Sequence, residues 1–113
     1  MPDPLPSKRE IQMLLTNPSF HAFVEVIGNE VVGFVSLSLV YRIRARTSAV
    51  IEDMAVSVKH RRKGVARMLL KSVITEASIR GCFEISLSSS SDAVNLYHNA
   101  GFKASGTSMA LLI

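Results

Sequence analysis

The sequence predicts one α/β (α+β) domain in which helices lie on the faces of a mixed sheet. Three observations carry this. The chain has 113 residues, one domain's length and enough to bury roughly two-thirds of its unfolded surface around a single core, so residues 1–113 read as a single domain. The hydrophobic pattern changes period in the order helix, three strands, helix, strand, helix, strand. A two-residue turn joins the first two strands, which makes them antiparallel, while the later strand–helix–strand crossovers imply parallel pairing.

Each element has a local cause. Three prolines in the first six residues give an irregular start. Ser7 and Glu10 then form a capping box: hydroxyl and carboxylate each satisfy an orphan N–H. Ile11, Leu14 and Leu15 follow at helical spacing, and Asn17-Pro18 stops the helix. Residues 20–27 are rich in aromatic and β-branched side chains and read as a strand. Gly28-Asn29 is the hairpin turn, and residues 31–40 are the second strand. Residues 49–56, AVIEDMAV, are a third strand, apolar except for Glu52 and Asp53. Adjacent strand residues point to opposite faces, so at least one of these acids is expected inward or towards a cleft. From Val65 the period becomes helical through Leu69, Val73 and Ala77, and Gly81 marks the helix end. Residues 83–87 are a short strand, 92–100 a helix behind a serine-rich turn, and 102–113 a last strand broken near Gly106.

Composition narrows the function. The chain is 48% hydrophobic with a net charge of +4, which excludes a disordered chain. The longest apolar stretch, residues 31–40, is shorter than the about 20 residues a membrane helix needs. The N-terminus lacks the basic and apolar regions of a signal peptide. The single cysteine, Cys82, excludes an internal disulfide and a cysteine metal cage, and suits a cytoplasmic setting. No His/Asp/Glu set has metal-ligand spacing. Cys82 and His21 read as structural, and the methionines as core.

The charge is local. Lys59, Arg61, Arg62, Lys63, Arg67 and Lys71 fall in one segment without an acid, and the remaining seven bases and nine acids sum to −2. Within it, Arg61-Arg62-Lys63-Gly64-Val65-Ala66 joins strand to helix. Glycine at 64 allows backbone angles that a side chain forbids. The first helical N–H groups lack intrahelical partners, and the helix dipole adds positive potential, so a pyrophosphate fits there. Basic side chains add charge-assisted hydrogen bonds, and His60 adjoins the loop. The loop matches neither GxxxxGK[ST] nor GxGxxG. Nucleic acid is the competing anion, but interleaved aromatics are lacking.

Taken together, these segments resemble the GNAT superfamily of acetyl-coenzyme A-dependent N-acetyltransferases. The resemblance rests on the strand VIEDMAV, on the loop Arg61–Ala66 matching (Arg/Gln)-x-x-Gly-x-(Gly/Ala), on the helix RMLLKSVITEA, and on Ala93-Val94-Asn95-Leu96-Tyr97-His98-Asn99-Ala100-Gly101-Phe102, matching Ala-x-x-Leu-Tyr-x-x-x-Gly-Phe. It implies a mainly antiparallel, twisted GNAT sheet with flanking helices, lacking the family's first strand and helix. It implies acetyl-CoA as cosubstrate, with the pyrophosphate on Arg61, Arg62, Lys63, Gly64, Val65, Ala66 and Arg67. Pantetheine would run beside Met54, Ala55 and Val56, and Asn95 would contact the cofactor. Tyr97 matches the usual general acid, and Glu52 and Asp53 are candidate bases. Backbone N–H groups near Met54 would polarise the thioester carbonyl.

The expected partners are therefore acetyl-CoA and an amine acceptor, with a second copy of the chain covering an exposed sheet edge. VIEDMAV, LYHNAGF and a late Gly-x-x-Met strand are similar to glucosamine-6-phosphate, small-amine and amino-acid acetyltransferases. Arg42, Arg44 and Arg46 alternate and would suit an anionic acceptor. A non-catalytic coenzyme A-binding or dimerising module stays open, and a small basic nucleic-acid binder less so.

Overall fold

A computed structural model describes residues 5–41 and 46–113. Arg42 and Arg44 lie outside the described residues. Helix α1 (Lys8–Leu14) begins at the Ser7 cap. The Glu10 N–H donates to Ser7 Oγ at 3.1 Å, and the Ser7 N–H donates to Glu10 Oε1 at 2.9 Å. These bonds hold the Glu10 carboxyl below its ordinary pKa, with the Ser7 backbone bond the larger cause.

Strands β1 (Phe20–Ile27) and β2 (Glu30–Val40) form the hairpin. Gly28, at φ 64°, supplies the left-handed turn residue that closes Ile27 onto Glu30. Strand β3 (Ser48–Val56) runs antiparallel to β2. Helix α2 (Val65–Ile79) then crosses over to β4 (Ile85–Ser86), which lies parallel to β3. The sheet order is β1-β2-β3-β4, so the mixed, mainly antiparallel architecture is present. Helix α3 (Val94–Asn99) follows a 3-10 turn at Ser91–Ala93.

Cross-strand partners share a face, which sorts the sheet. Val35, Leu37 and Leu39 of β2, with Ala49 and Ile51 of β3, pack against Val65, Leu69, Leu70, Val73 and Ala77 of α2. These α2 positions recur at helical spacing, and each fully buried side chain of this kind contributes about 1.5–3 kcal/mol. Gly33 lets the helix come close: a Cβ there would stand 2.6 Å from Val65 Cγ1 and 3.0 Å from Leu69 Cδ1. The opposite face carries Phe34, Ser36 and Ser38, paired with Ala55, Asp53 and Val50.

Three sequence expectations need correction. Residues 102–113 form no strand, and β4 keeps only two residues of the expected 83–87. Met109, Leu111, Leu112 and Ile113 are exposed instead, because apolar, β-prone residues become a strand only against a partner edge. Met13 and Met68 are exposed rather than core. Glu52 and Asp53 do not point to opposite faces. Ile51 pairs with Leu37 and Asp53 with Ser36, which leaves Glu52 as an extra residue in a β-bulge. Both acids therefore lie on the face away from α2, and both are exposed.

Candidate functional site

The basic segment folds as the sequence suggests. Val58–His60 makes a 3-10 turn, and Arg62 takes a left-handed φ of 63°. Gly64, at φ 80°, is the N-cap of α2 and provides no side-chain cap. A Cβ on Gly64 would meet nothing within 4 Å, so the space in front of the helix is open. No side chain caps the first turn of α2. The first N–H groups of a helix point outwards and, with the dipole, form an anion cradle.

A cavity of about 660 Å³ opens at this terminus. Its walls are Met54, Ala55 and Val56 of β3, His60, Arg61, Arg62, Gly64, Val65, Ala66 and Arg67 of the loop and α2, and Asp92, Ala93, Leu96 and Tyr97 beside and within α3. It exists because β3 and β4 part early. Their pairing runs only from Ala49↔Ile85 to Val50↔Ser86, so the next six residues of β3 have no β4 partner.

Tyr97 enters from α3. Its ring meets Phe102 edge to face, with centroids 5.8 Å apart and planes at 72°. Its hydroxyl lies 4.0 Å from Met54 Sδ, which puts the phenol on the α2 side of β3. Burial raises the phenol pKa above its ordinary 10, so the proton is held through neutral pH. On the other face, Ser38 Oγ donates to Glu52 Oε1 at 2.8 Å and fixes that carboxylate. Strand β3 thus separates a phenol on one face from two carboxylates on the other.

The cavity brings together most of the residues singled out from the sequence. Lys63 and Asn95 do not line it and are exposed, and Glu52 and Asp53 lie outside it. Asp92 is a wall residue that sequence reasoning treated only as a helix start, since nothing in its neighbours signals a cavity. His60 does line the cavity, and its Nδ1 is buried without a partner. His21 faces α2 from β1, opposite Leu37, with Nε2 likewise unpartnered. Cys82 is a free thiol against the core, and burial raises its pKa. A larger cavity of about 1060 Å³ runs between β4, α3 and residues 102–108. Among the described residues lining it Lys103 is the only Lys or Arg, so an anion is better served by the smaller one. Among the described residues no group of three or more His, Cys, Asp or Glu could hold a metal ion, and no helix is long and apolar enough to cross a membrane.

Comparison with known proteins bears on the family and the fold. The model of the Acetyltransferase (GNAT) family matches residues 2–102. No curated protein matches the sequence. Among solved structures, an acetyltransferase of Trypanosoma brucei superposes with a TM-score of 0.82 at 23% identity, covering 93% of this chain and 77% of that one. An aminoglycoside acetyltransferase from an uncultured soil metagenomic sample gives 0.81 at 20% identity, over 96% and 74%. Glucosamine-6-phosphate N-acetyltransferase from Arabidopsis thaliana gives 0.80 at 16% identity, over 92% and 74%. At these identities the superpositions establish the fold.

Proposed function

Because this chain belongs to the GNAT acetyltransferase family, we propose that it moves the acetyl group of acetyl-CoA to a primary amine of a small molecule, amino sugar, amino acid or peptide. The observation that carries this is the single cavity joining the uncapped α2 terminus, Arg61, Arg62 and Arg67 to the free edge of β3 and to Tyr97. An anion cradle, an extended groove of peptide groups and a phenol in sequence suit a ligand with a pyrophosphate head and a thioester tail.

Acetyl-CoA supplies an activated acyl carbon. The loop residues Arg61, Arg62, Gly64, Val65, Ala66 and Arg67 hold the pyrophosphate, with Lys63 adding charge from outside. Met54, Ala55 and Val56 offer backbone groups to the pantetheine arm and to the thioester oxygen. Asn95 borders the site on α3. Glu52, fixed by Ser38, takes a proton from the acceptor ammonium. The freed nitrogen forms the amide bond as the carbon–sulfur bond breaks. Tyr97 gives its phenolic proton to the leaving sulfur, one of the nitrogen's two remaining protons passes to the phenolate directly or through water, the other stays on the amide, and Glu52 releases its proton to solvent. Asp53 orients the acceptor beside Glu52.

The reading treats the chain as one domain in the cytoplasm, supported by its free cysteine. It also includes a homodimer, supported by the position of β1 at the sheet edge. The test is two-part. Coenzyme A should raise the melting temperature, and acetyl-CoA with an amine panel should release free thiol. Absence of both effects would overturn the reading; stabilisation without thiol release would leave a coenzyme A-binding module.

A further inference from the structure

The sheet is open at its β4 end. Strand β4 closes the order β1-β2-β3-β4, so among the described residues no strand lies along its outer edge. Unpaired strand edges are templates for another strand. Beside β4 runs the cavity of about 1060 Å³, lined also by residues of α2 and α3 and by residues 100–106 and Ser108. Its walls include apolar side chains that the fold leaves exposed, among them Ile74, Phe83 and Val94. A second observation supplies the strand. Residues 109–113, MALLI, are apolar throughout and pair with nothing in the sheet. In a strand alternate residues share a face. That puts Met109, Leu111 and Ile113 together, and they are 89%, 83% and 114% exposed. Contiguous apolar surface of this kind marks an interaction site.

We propose that two copies of the chain exchange this segment, residues 109–113 of each adding a strand to the β4 edge of the other. Backbone groups along β4 take the pairing, and Met109, Leu111 and Ile113 fill the groove beside it. The occupant is a second copy rather than the segment's own chain. Each chain follows the groove to Gly106, bends there at φ 68°, and leaves it after Ser108: none of residues 109–113 lines the cavity. The area is sufficient. At on the order of 100 Å² of apolar surface per large aliphatic side chain, the three side chains, the groove they cover and the reciprocal contact together bury about 1,200 Å², the lower bound for a stable interface. A two-fold exchange satisfies both edges at once, so assembly stops at the dimer. Tyr97 lines this groove as well as the smaller cavity, so the seated strand also braces α3. The exchange does not depend on the acetyl-transfer reading.

Sedimentation of the full chain across the micromolar range should show a monomer–dimer equilibrium. Leu111→Lys puts a charge into the groove and should weaken dimerisation by about tenfold or more. Val94→Lys, on the groove wall, should act in the same direction, while Leu112→Lys, on the other face of the segment, should weaken it less. Leu111 and Leu112 are exposed in the single copy, so circular dichroism of both variants should match that of the parent. Amide exchange at residues 85–87 and 109–113 should slow as protein concentration rises. A chain that stays monomeric, or protection that ignores concentration because each segment closes on its own β4, would overturn the proposal. So would a dimer indifferent to both Leu111→Lys and Val94→Lys, which would put the contact at the β1 edge. Dimerisation of a chain that coenzyme A does not stabilise would leave the exchange standing and count against the acetyl-transfer reading alone.

Discussion

Tyr97 is a residue whose surroundings favour one protonation state. Burial raises its pKa, so the phenol remains a proton donor above the pH at which an exposed tyrosine ionises. As a general acid it should keep its rate contribution to alkaline pH, and activity should fall only as pH passes the raised value. The same sign governs stability: the tyrosine's favourable contribution is complete below the unfolded pKa and is lost as pH rises through the folded one. Tyr97→Phe removes only a hydroxyl whose one described contact is a distant sulfur. The melting temperature should therefore hardly move, while turnover falls by about 10²–10⁴-fold; matched pH–rate profiles and melts would separate the two effects. Gly64 makes the complementary case. Its φ of 80° strains any side chain, though no atom lies within 4 Å of the place a Cβ would take. Gly64→Ala should cost about 1 kcal/mol of stability and weaken coenzyme A binding by more than that, as read by calorimetry.

At the scale of elements, the closeness of α2 to β2 sets where the anion cradle points. Gly33→Ala would push its methyl into Val65 Cγ1, and Val65 is a stiff β-branched residue in the first turn of α2. The expected result is a loss of about 1–3 kcal/mol in a denaturant melt together with weaker coenzyme A binding, because the cradle moves with the helix. Much of this layout was legible in the chain. Ser7 and Glu10 announced α1, the Gly28-Asn29 turn set the hairpin, and the apolar spacing from Val65 to Ala77 gave the buried face of α2. Two features were not. The bulge at Glu52 adds one residue to a strand whose composition is unchanged by it, so strict alternation placed the acids wrongly. Residues 102–113 carry strand-like side chains, yet pairing depends on a neighbouring edge that the local sequence does not encode.

For the whole molecule, charge is divided by function. Arg61, Arg62 and Arg67 line the cavity, and outside the basic segment 59–71 the chain sums to −2. Coenzyme A affinity should therefore fall steadily with added salt, whereas the melting temperature of the free chain should change little. At a ligand concentration one hundred times Kd, binding should add about 2.7 kcal/mol of stability, a rise of about 10 °C or more for a chain of this size.

The two-pair junction between β3 and β4 has a dynamic meaning as well. The hairpin and β3 hold to one another along nearly their full lengths, but β4, α3 and the residues after it join the sheet through Ala49↔Ile85 and Val50↔Ser86. The C-terminal third also packs Ile85, Leu87, Leu96 and Phe102 on the core, but its short pairing predicts that it opens before the hairpin, with amide exchange at Ala49 and Phe83 outpacing that in β2. A ligand lying across the free edge of β3 and touching α3 would act as a clasp between the two units. Slowed exchange throughout residues 82–102 on adding coenzyme A would reveal that clasp from a distance.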